Sequence, residues 1–322
     1  MHRRRFLTSA VSAGLLVSKA YAADSWPSRR IRLVVPGAAG GFADITARLV
    51  SESLAQKLGQ PVFVEDIASS AGIQACQSVA RSAPDGYNLI VGTINTHATN
   101  VSFYKSLPYD PVKDFKAISR VGGSPLVLVV SPSLDVKTIG DLIDLAKQKS
   151  TSLTFGSAGI GTSSHIAGEL FKQLANIDLL HVPFRGTSPA VAAVLGSQID
   201  ILFDTLPSAM PNVQSNLLRG LGVSIANRVP SLPDVPTIAE VLPGFEISVW
   251  CGLFGPSALA NEVTERLDTE MRDLLATPQF RDRIIVAGIT PMPAGPEEFL
   301  EFTKFEISKW RDVAQKAGIV PE

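Results

Sequence analysis

Two stretches combine small residues, backbone amides and hydroxyls in a way that suits them to hold an anion. The first is Pro36-Gly37-Ala38-Ala39-Gly40-Gly41-Phe42-Ala43-Asp44. Its small residues let a ligand come close to the backbone. Amides around Ala39, Gly40, Gly41 and Phe42 would lie at the amino end of a helix, where N–H groups lack partners and the helix dipole favours negative charge. Asp44 falls in the first helical turn and either belongs to the clamp or caps the helix. The second stretch is Gly156-Ser157-Ala158-Gly159-Ile160-Gly161-Thr162-Ser163-Ser164-His165. It repeats the same physics and adds the hydroxyls of Ser157, Thr162 and Ser163 as donors. At least one of Ser163 and Ser164 is expected to cap the following helix. Facing each other across a cleft, the two loops would grip a carboxylate from both sides.

Further polar groups follow strands and should point to the same place. These are Phe184-Arg185-Gly186-Thr187-Ser188, then Phe203-Asp204-Thr205, then Thr93, Thr96 and His97. Arg185 either pairs with a ligand carboxylate or forms a salt bridge between the two halves of the chain. Asp204 either accepts from a ligand amine or hydroxyl or anchors the next turn. Competing chemistries fit less well. Thr162 stands where a Walker A loop needs Lys, and Ser164 where a dinucleotide fingerprint needs its third Gly. The stretch from Phe155 to Gly159 is not a Gly-x-Ser-x-Gly elbow. His2, His97, His165 and His181 have no metal-ligand spacing, so neither metal nor cofactor is expected. A serine hydrolase using Ser157 or Ser163 with His165 is the enzymatic alternative, and a ligand-loaded partner of a membrane kinase is another.

Strands and helices must alternate to place these loops. Ile31-Arg32-Leu33-Val34-Val35 reads as a buried strand ended by Pro36, and Ala47, Val50, Leu54 and Leu58 mark one face of a helix closed by Gly59 and Pro61. Strands at 62–64 and 89–91 flank a helix at 73–81. The alternation restarts with a strand at 126–130, then strands at 153–155, 182–184 and 199–203 separated by helices at 139–147 and 163–174. A third helix there should have Ser188 as its cap and Pro189 at its first position. A strand at 249–254 and helices at 263–275 and 296–316 complete the chain. The pattern predicts an α/β fold of two lobes, 23–124 with 250–322 and 125–249, joined by two crossing strands near 124–130 and 248–254. A ligand cleft would lie between them at the strand ends.

Of the 322 residues, 45% are hydrophobic and 18% charged, and formal net charge is -1. With no basic stripe, a nucleic-acid partner is not expected. Arg3-Arg4-Arg5-Phe6-Leu7, a short apolar run and Ala20-Tyr21-Ala22 read as a cleavable, twin-arginine-like export signal cut after Ala22. Removing residues 1–22 leaves 25 basic against 30 acidic residues, a net of −5. Bulk charge therefore repels anions, and local dipoles must hold them. Cys76 and Cys251 read as two buried thiols, with a disulfide left open.

The chain resembles the periplasmic substrate-binding proteins of the tripartite tricarboxylate transporters, the Bug family, from about residue 31 to its end. The marks are Ile31 to Pro36 with Gly40-Gly41-x-x-Asp44, Ser82-Ala83-Pro84-Asp85-Gly86-Tyr87, Leu107-Pro108-Tyr109-Asp110-Pro111 with Lys113-Asp114-Phe115, Phe155 to Gly159 with His165, Val182 to Ala190, and Leu232 to Glu240. The resemblance implies a type II periplasmic-binding-protein fold with Venus-flytrap closure, a carboxylate ligand and membrane permease subunits as partners. It also implies a periplasmic protein whose binding loops are residues 39–44 and 157–165, and a monomer is expected. Two departures stand out: Gly37 replaces the family's usual aromatic, and residues 64–72 depart from its Val-Glu-Asn-Arg-Pro-Gly run. Phe42 and Phe184 would suit an apolar or aromatic acid.

Overall fold

The structure is a computed structural model that describes residues 26–148, 153–316 and 321. The expected signal and its cleavage site lie outside the described residues. Strands β1 (Ile31–Val35), β2 (Val62–Asp66) and β3 (Asn88–Thr93) are parallel, in the order β2-β1-β3. Every residue of β1 except Arg32 is buried, as expected of a parallel strand covered on both faces. Helix α1 (Phe42–Leu58) follows β1 and ends at Gly59, whose φ of 67° is left-handed. A 3₁₀ turn, Ser70–Gly72, leads into α2 (Ile73–Ala80). After β3 comes a π-helical turn, Asn95–Thr99, which runs into α3 (Asn100–Phe103).

Strand β4 (Phe115–Val130) is 16 residues long, far beyond the ordinary five or six. The next three strands are parallel to one another: β5 (Leu153–Ser157), β6 (Leu179–Pro183) and β7 (Ile201–Thr205). The chain then forms β8 (Arg219–Val223), β9 (Ser248–Pro256) and β10 (Thr290–Ala294). The continuous order is β2-β1-β3-β9-β4-β7-β5-β6. The first part of β4 lies between β9 and β10, and its last residues lie between β7 and β8. One strand thus serves both halves of the sheet. Gly122 and Gly123 make this possible, because a Cβ there would lie 2.6 Å from the Thr290 carbonyl oxygen or 2.8 Å from that of Val249.

Helices α4 (Ile139–Gln148), α5 (Ser163–Ala175), α6 (Thr187–Leu195) and α7 (Leu206–Gln214) belong to the half built on β5, β6 and β7. Helices α8 (Asn261–Ala276), α9 (Pro278–Val286) and α10 (Pro296–Lys316) return to the other half, where α8 and α10 pack on β4. The cap of α6 is Gly186 rather than Ser188, so Pro189 falls at its third position. Cys76 and Cys251 are free and buried, and burial pushes both thiols up to about 12.

Candidate functional site

Five helices begin at one cleft. The caps of α1, α2, α5, α6 and α7 are Gly41, Gly72, Thr162, Gly186 and Thr205, and none of them bonds its helix through a side chain. All five line a single cavity of about 90 Å³. Each amino end carries roughly half a positive charge on N–H groups that lack a carbonyl in the preceding turn. Among the described residues no Lys, Arg or His lines the cavity, and its charged residues are Asp44 and Asp204. Such a site can hold an anion without a counter-ion, provided the anion is small enough to meet several helix ends at once.

The first loop folds around Asp44. This carboxylate is 3% exposed; it accepts from Gly40 N at 2.7 Å and pairs with Arg48 Nε at 2.7 Å. Arg48 in turn reaches Asp66 Oδ2 at 2.9 Å. Burial, and after it the neighbouring Asp44, holds the Asp66 carboxyl above its ordinary range. The amide of Gly40 is therefore spent inside the loop, and Ala39 and Gly40 are exposed at its outer edge. Gly41, Phe42 and Ala43 face the cavity.

The second loop is tied down by its own hydroxyls. Ala158 N donates to Ser164 Oγ at 3.0 Å, Thr162 Oγ1 donates to the Gly159 carbonyl at 2.6 Å, and Gly161 N donates to His165 Nδ1 at 3.1 Å. Ala158, Thr162, Ser163 and Ser164 line the cavity; Ser157, Gly159 and His165 lie behind it. Ser157 Oγ is 2.6 Å from Nε2 of His181, not of His165. The two imidazoles stack at 4.2 Å, and burial, then His165 and Lys172, pulls His181 down to about 4. This serine–histidine pair resembles hydrolytic machinery, but Ser157 is 0% exposed and does not line the cleft cavity.

The remaining sequence-derived positions divide. Thr187 and Asp204 line the cavity. Arg185 is exposed outside it, and Phe184 turns back over Gly156, where a Cβ would lie 3.5 Å from its ring. Thr96 and His97 are core residues of the π-helical turn. Thr96 Oγ1 lies 2.9 Å from His97 Nδ1, and the imidazole stacks on Phe254 at 3.9 Å, where burial holds it down at about 3. The turn they support presents Asn95, whose Oδ1 accepts from Ser163 N at 3.0 Å. Thr205, named with Asp204 in the sequence, lines the cavity too, whereas sequence reasoning passed over Asn95, Ser69, Ala71 and Gly72, all of which line it. A glycine immediately before the apolar helix at Ile73 was the legible signal for one of them.

The two halves touch across the cleft. Thr99 Oγ1 donates to the Gly161 carbonyl at 2.8 Å, Tyr104 Oη to that of Ile160 at 3.3 Å, and Ser188 Oγ to that of Ala39. A Cβ on Gly186 would sit 3.0 Å from that of Ala38. The loops are thus already apposed.

Over residues 46–319 the chain matches the family model described as the tripartite tricarboxylate transporter family receptor. It is 36% identical to the UPF0065 protein in the tcbD-tcbE intergenic region of Pseudomonas sp. (strain P51), over 96% of this chain and 93% of that protein. A protein of R. palustris solved with adipate superposes with a TM-score of 0.89 at 32% identity, covering 92% of this chain and 100% of that one. MatC of Rhodopseudomonas palustris, solved with bound malate, superposes with a TM-score of 0.84 at 32% identity, covering 89% and 99%.

Proposed function

Because the chain belongs to the tripartite tricarboxylate transporter receptor family, we propose that it captures a small carboxylate by closure of its two lobes and hands it to the membrane permease of such a transporter. Its class is that of solute-binding receptors of the periplasm, not enzymes. The single observation that carries the reading is the convergence of five helix amino ends, none capped by the side chain of its own N-cap residue, on a cavity without a cationic side chain among the described residues. A polyanion or a large ligand would not reach so many amides at once, whereas a carboxylate of a few carbons would. Relatives solved with adipate and malate support the same ligand class.

In this reading the amides of Gly41, Phe42 and Ala43 meet a carboxylate from one lobe, and those of Ser164 and Thr187 meet it from the other, joined by Ser163 N once it exchanges its bond to Asn95 Oδ1 for one to the ligand. The hydroxyls of Ser163 and Thr187 supply further donors. Lobe 1 comprises 23–124 and 250–322, and lobe 2 comprises 125–249. Residues 1–22 direct export and are then removed by cleavage after Ala22. Closure is driven by the difference in affinity between the closed and open states, since equal affinity would shift nothing. The cross-cleft bonds of Thr99, Tyr104 and Ser188 then hold the closed form that a permease would recognise. Native mass spectrometry of freshly purified protein should find a retained small acid, and calorimetry with C3 to C6 carboxylic acids should give a saturable heat. Silence from every acid in both measurements would overturn the assignment.

A further inference from the structure

One group in the cleft works against an anion. Asp204 is the fourth residue of β7, a central strand hydrogen-bonded to β4 on one side and β5 on the other. Its side chain is 2% exposed and lines the cavity. Oδ1 accepts from Thr205 N at 2.8 Å, and the Ser208 hydroxyl also lies within bonding reach of the carboxylate. Oδ2 meets no protein donor among the described residues, and neither does the adjoining Thr205 Oγ1. With no Lys, Arg or His on the cavity wall, the protein offers this carboxylate no counter-ion.

A buried acceptor left without a donor is costly, and a second carboxylate beside it makes matters worse. The five helix ends favour negative charge, but none of their N–H groups reaches Asp204 Oδ2, and a bare carboxylate ligand would bring it no donor. We infer that Asp204 selects the ligand's second polar group, so that the ligand is a carboxylate carrying a hydroxyl or ammonium that donates to Asp204 Oδ2. This rests on reading the cleft as a carboxylate site and names the class of carboxylate. A hydroxyl would satisfy Oδ2 by a hydrogen bond alone. An ammonium would also cancel the charge, leaving a zwitterion whose carboxylate faces the helix ends and whose cation faces Asp204. Burial pushes the Asp204 carboxyl up to about 7, so above that pH, where the test is run, it stands ionised with Oδ2 as an acceptor. Thr205 Oγ1 would donate to the ligand's carboxylate or accept from the same donor group.

The test is calorimetry on the mature protein with matched sets that differ only in the donor: propionate, lactate and alanine; succinate, malate and aspartate; glutarate, 2-hydroxyglutarate and glutamate. In any set that binds, a donor-bearing member should bind at least about tenfold more tightly than its plain counterpart, the factor expected when a buried acceptor is left unpaired. The hydroxyl and ammonium members separate the two forms of the proposal. Asp204→Ala removes the acceptor and should bring the members of a set to within about threefold of one another; Asp204→Asn removes the charge but keeps an amide oxygen, so it should erase the advantage of an ammonium while leaving that of a hydroxyl. Melting curves establish that both variants fold. Plain acids binding as well as their donor-bearing partners, or a preference that survives both substitutions, would overturn the inference and leave the receptor assignment intact. No binding by any member would instead remove the carboxylate reading and this inference with it.

Discussion

The substitution Ser163→Pro separates the helix amides from everything else that shapes the cleft. Ser163 is the first residue of α5, and its N–H has no partner within the helix. Proline is preferred at this position because the lost donor is one the helix does not use. It requires an extended residue before it, and Thr162 has φ −76° and ψ 160°. The stability of the ligand-free protein should therefore stay within about 1 kcal/mol of the parent. Binding should not. A hydrogen bond to a charged carboxylate is worth about 1.5–3 kcal/mol, which predicts roughly ten- to hundredfold weaker affinity. Binding exchanges the 3.0 Å bond from Ser163 N to Asn95 Oδ1 for one to the carboxylate, so the loss falls toward the lower end of that range. Ser163→Ala is the control: it keeps the amide and removes only the hydroxyl, so it should cost several-fold at most. Calorimetry with whichever acid the native protein retains, paired with chemical denaturation, reads both quantities. If Ser163→Pro folds normally and binds within twofold of the parent, helix amides do not hold the ligand and the argument built on them collapses.

Three other outcomes follow from the same geometry. Asp204 has its folded value raised to about 7 from 3.8, so between those pH values the folded state holds a proton that the unfolded state has lost; stability is full below pH 4 and drains away as pH rises to about 7. Asp204→Asn escapes this loss, and its advantage in denaturant unfolding without ligand should grow from near zero at pH 4 to at most about 4 kcal/mol above pH 7; a gap that does not widen would contradict the burial argument. Gly72→Ala would place a Cβ 2.6 Å from Pro36 Cβ and 2.8 Å from Thr96 Cγ2 at a φ of +73°, so unfolding should weaken by about 2–4 kcal/mol in denaturation. Cys76 and Cys251 should both resist a thiol reagent in the native protein and react once it is unfolded, since their thiols are buried and pushed up to about 12.

Elements with strong periodicity and local punctuation were legible in the residues. The strand ending at Pro36, the helix closed by Gly59 and the helix at 296–316 need only nearby signals, and the structure forms them where those signals lie. Elements imposed by distant neighbours were not. The first eleven residues of β4 contain Arg120, Gly122, Gly123 and Pro125, which break a strand pattern; they pair because β9 and β10 enclose them. Pro207 and Pro211 obscured α7, although the first lies in the tolerant opening turn. His97 followed a strand and so was expected at the cleft, but Phe254, remote in sequence, draws it into the core. Asn95 reaches the cleft through a π-helical turn that no local pattern announced.

The shared strand also decides how the molecule can move. Where β4 passes from one half to the other it remains laddered to β9, with Gly123 opposite Trp250, Ser124 opposite Val249 and Pro125 opposite Ser248. Sliding one crossing strand along the other by a single residue would invert which side chains face inward and break every rung. Flexing and twisting of a two-ply ribbon cost far less. The mouth of the cleft is therefore constrained much as a door is by its jamb: however often it swings, each jaw returns to the same latch.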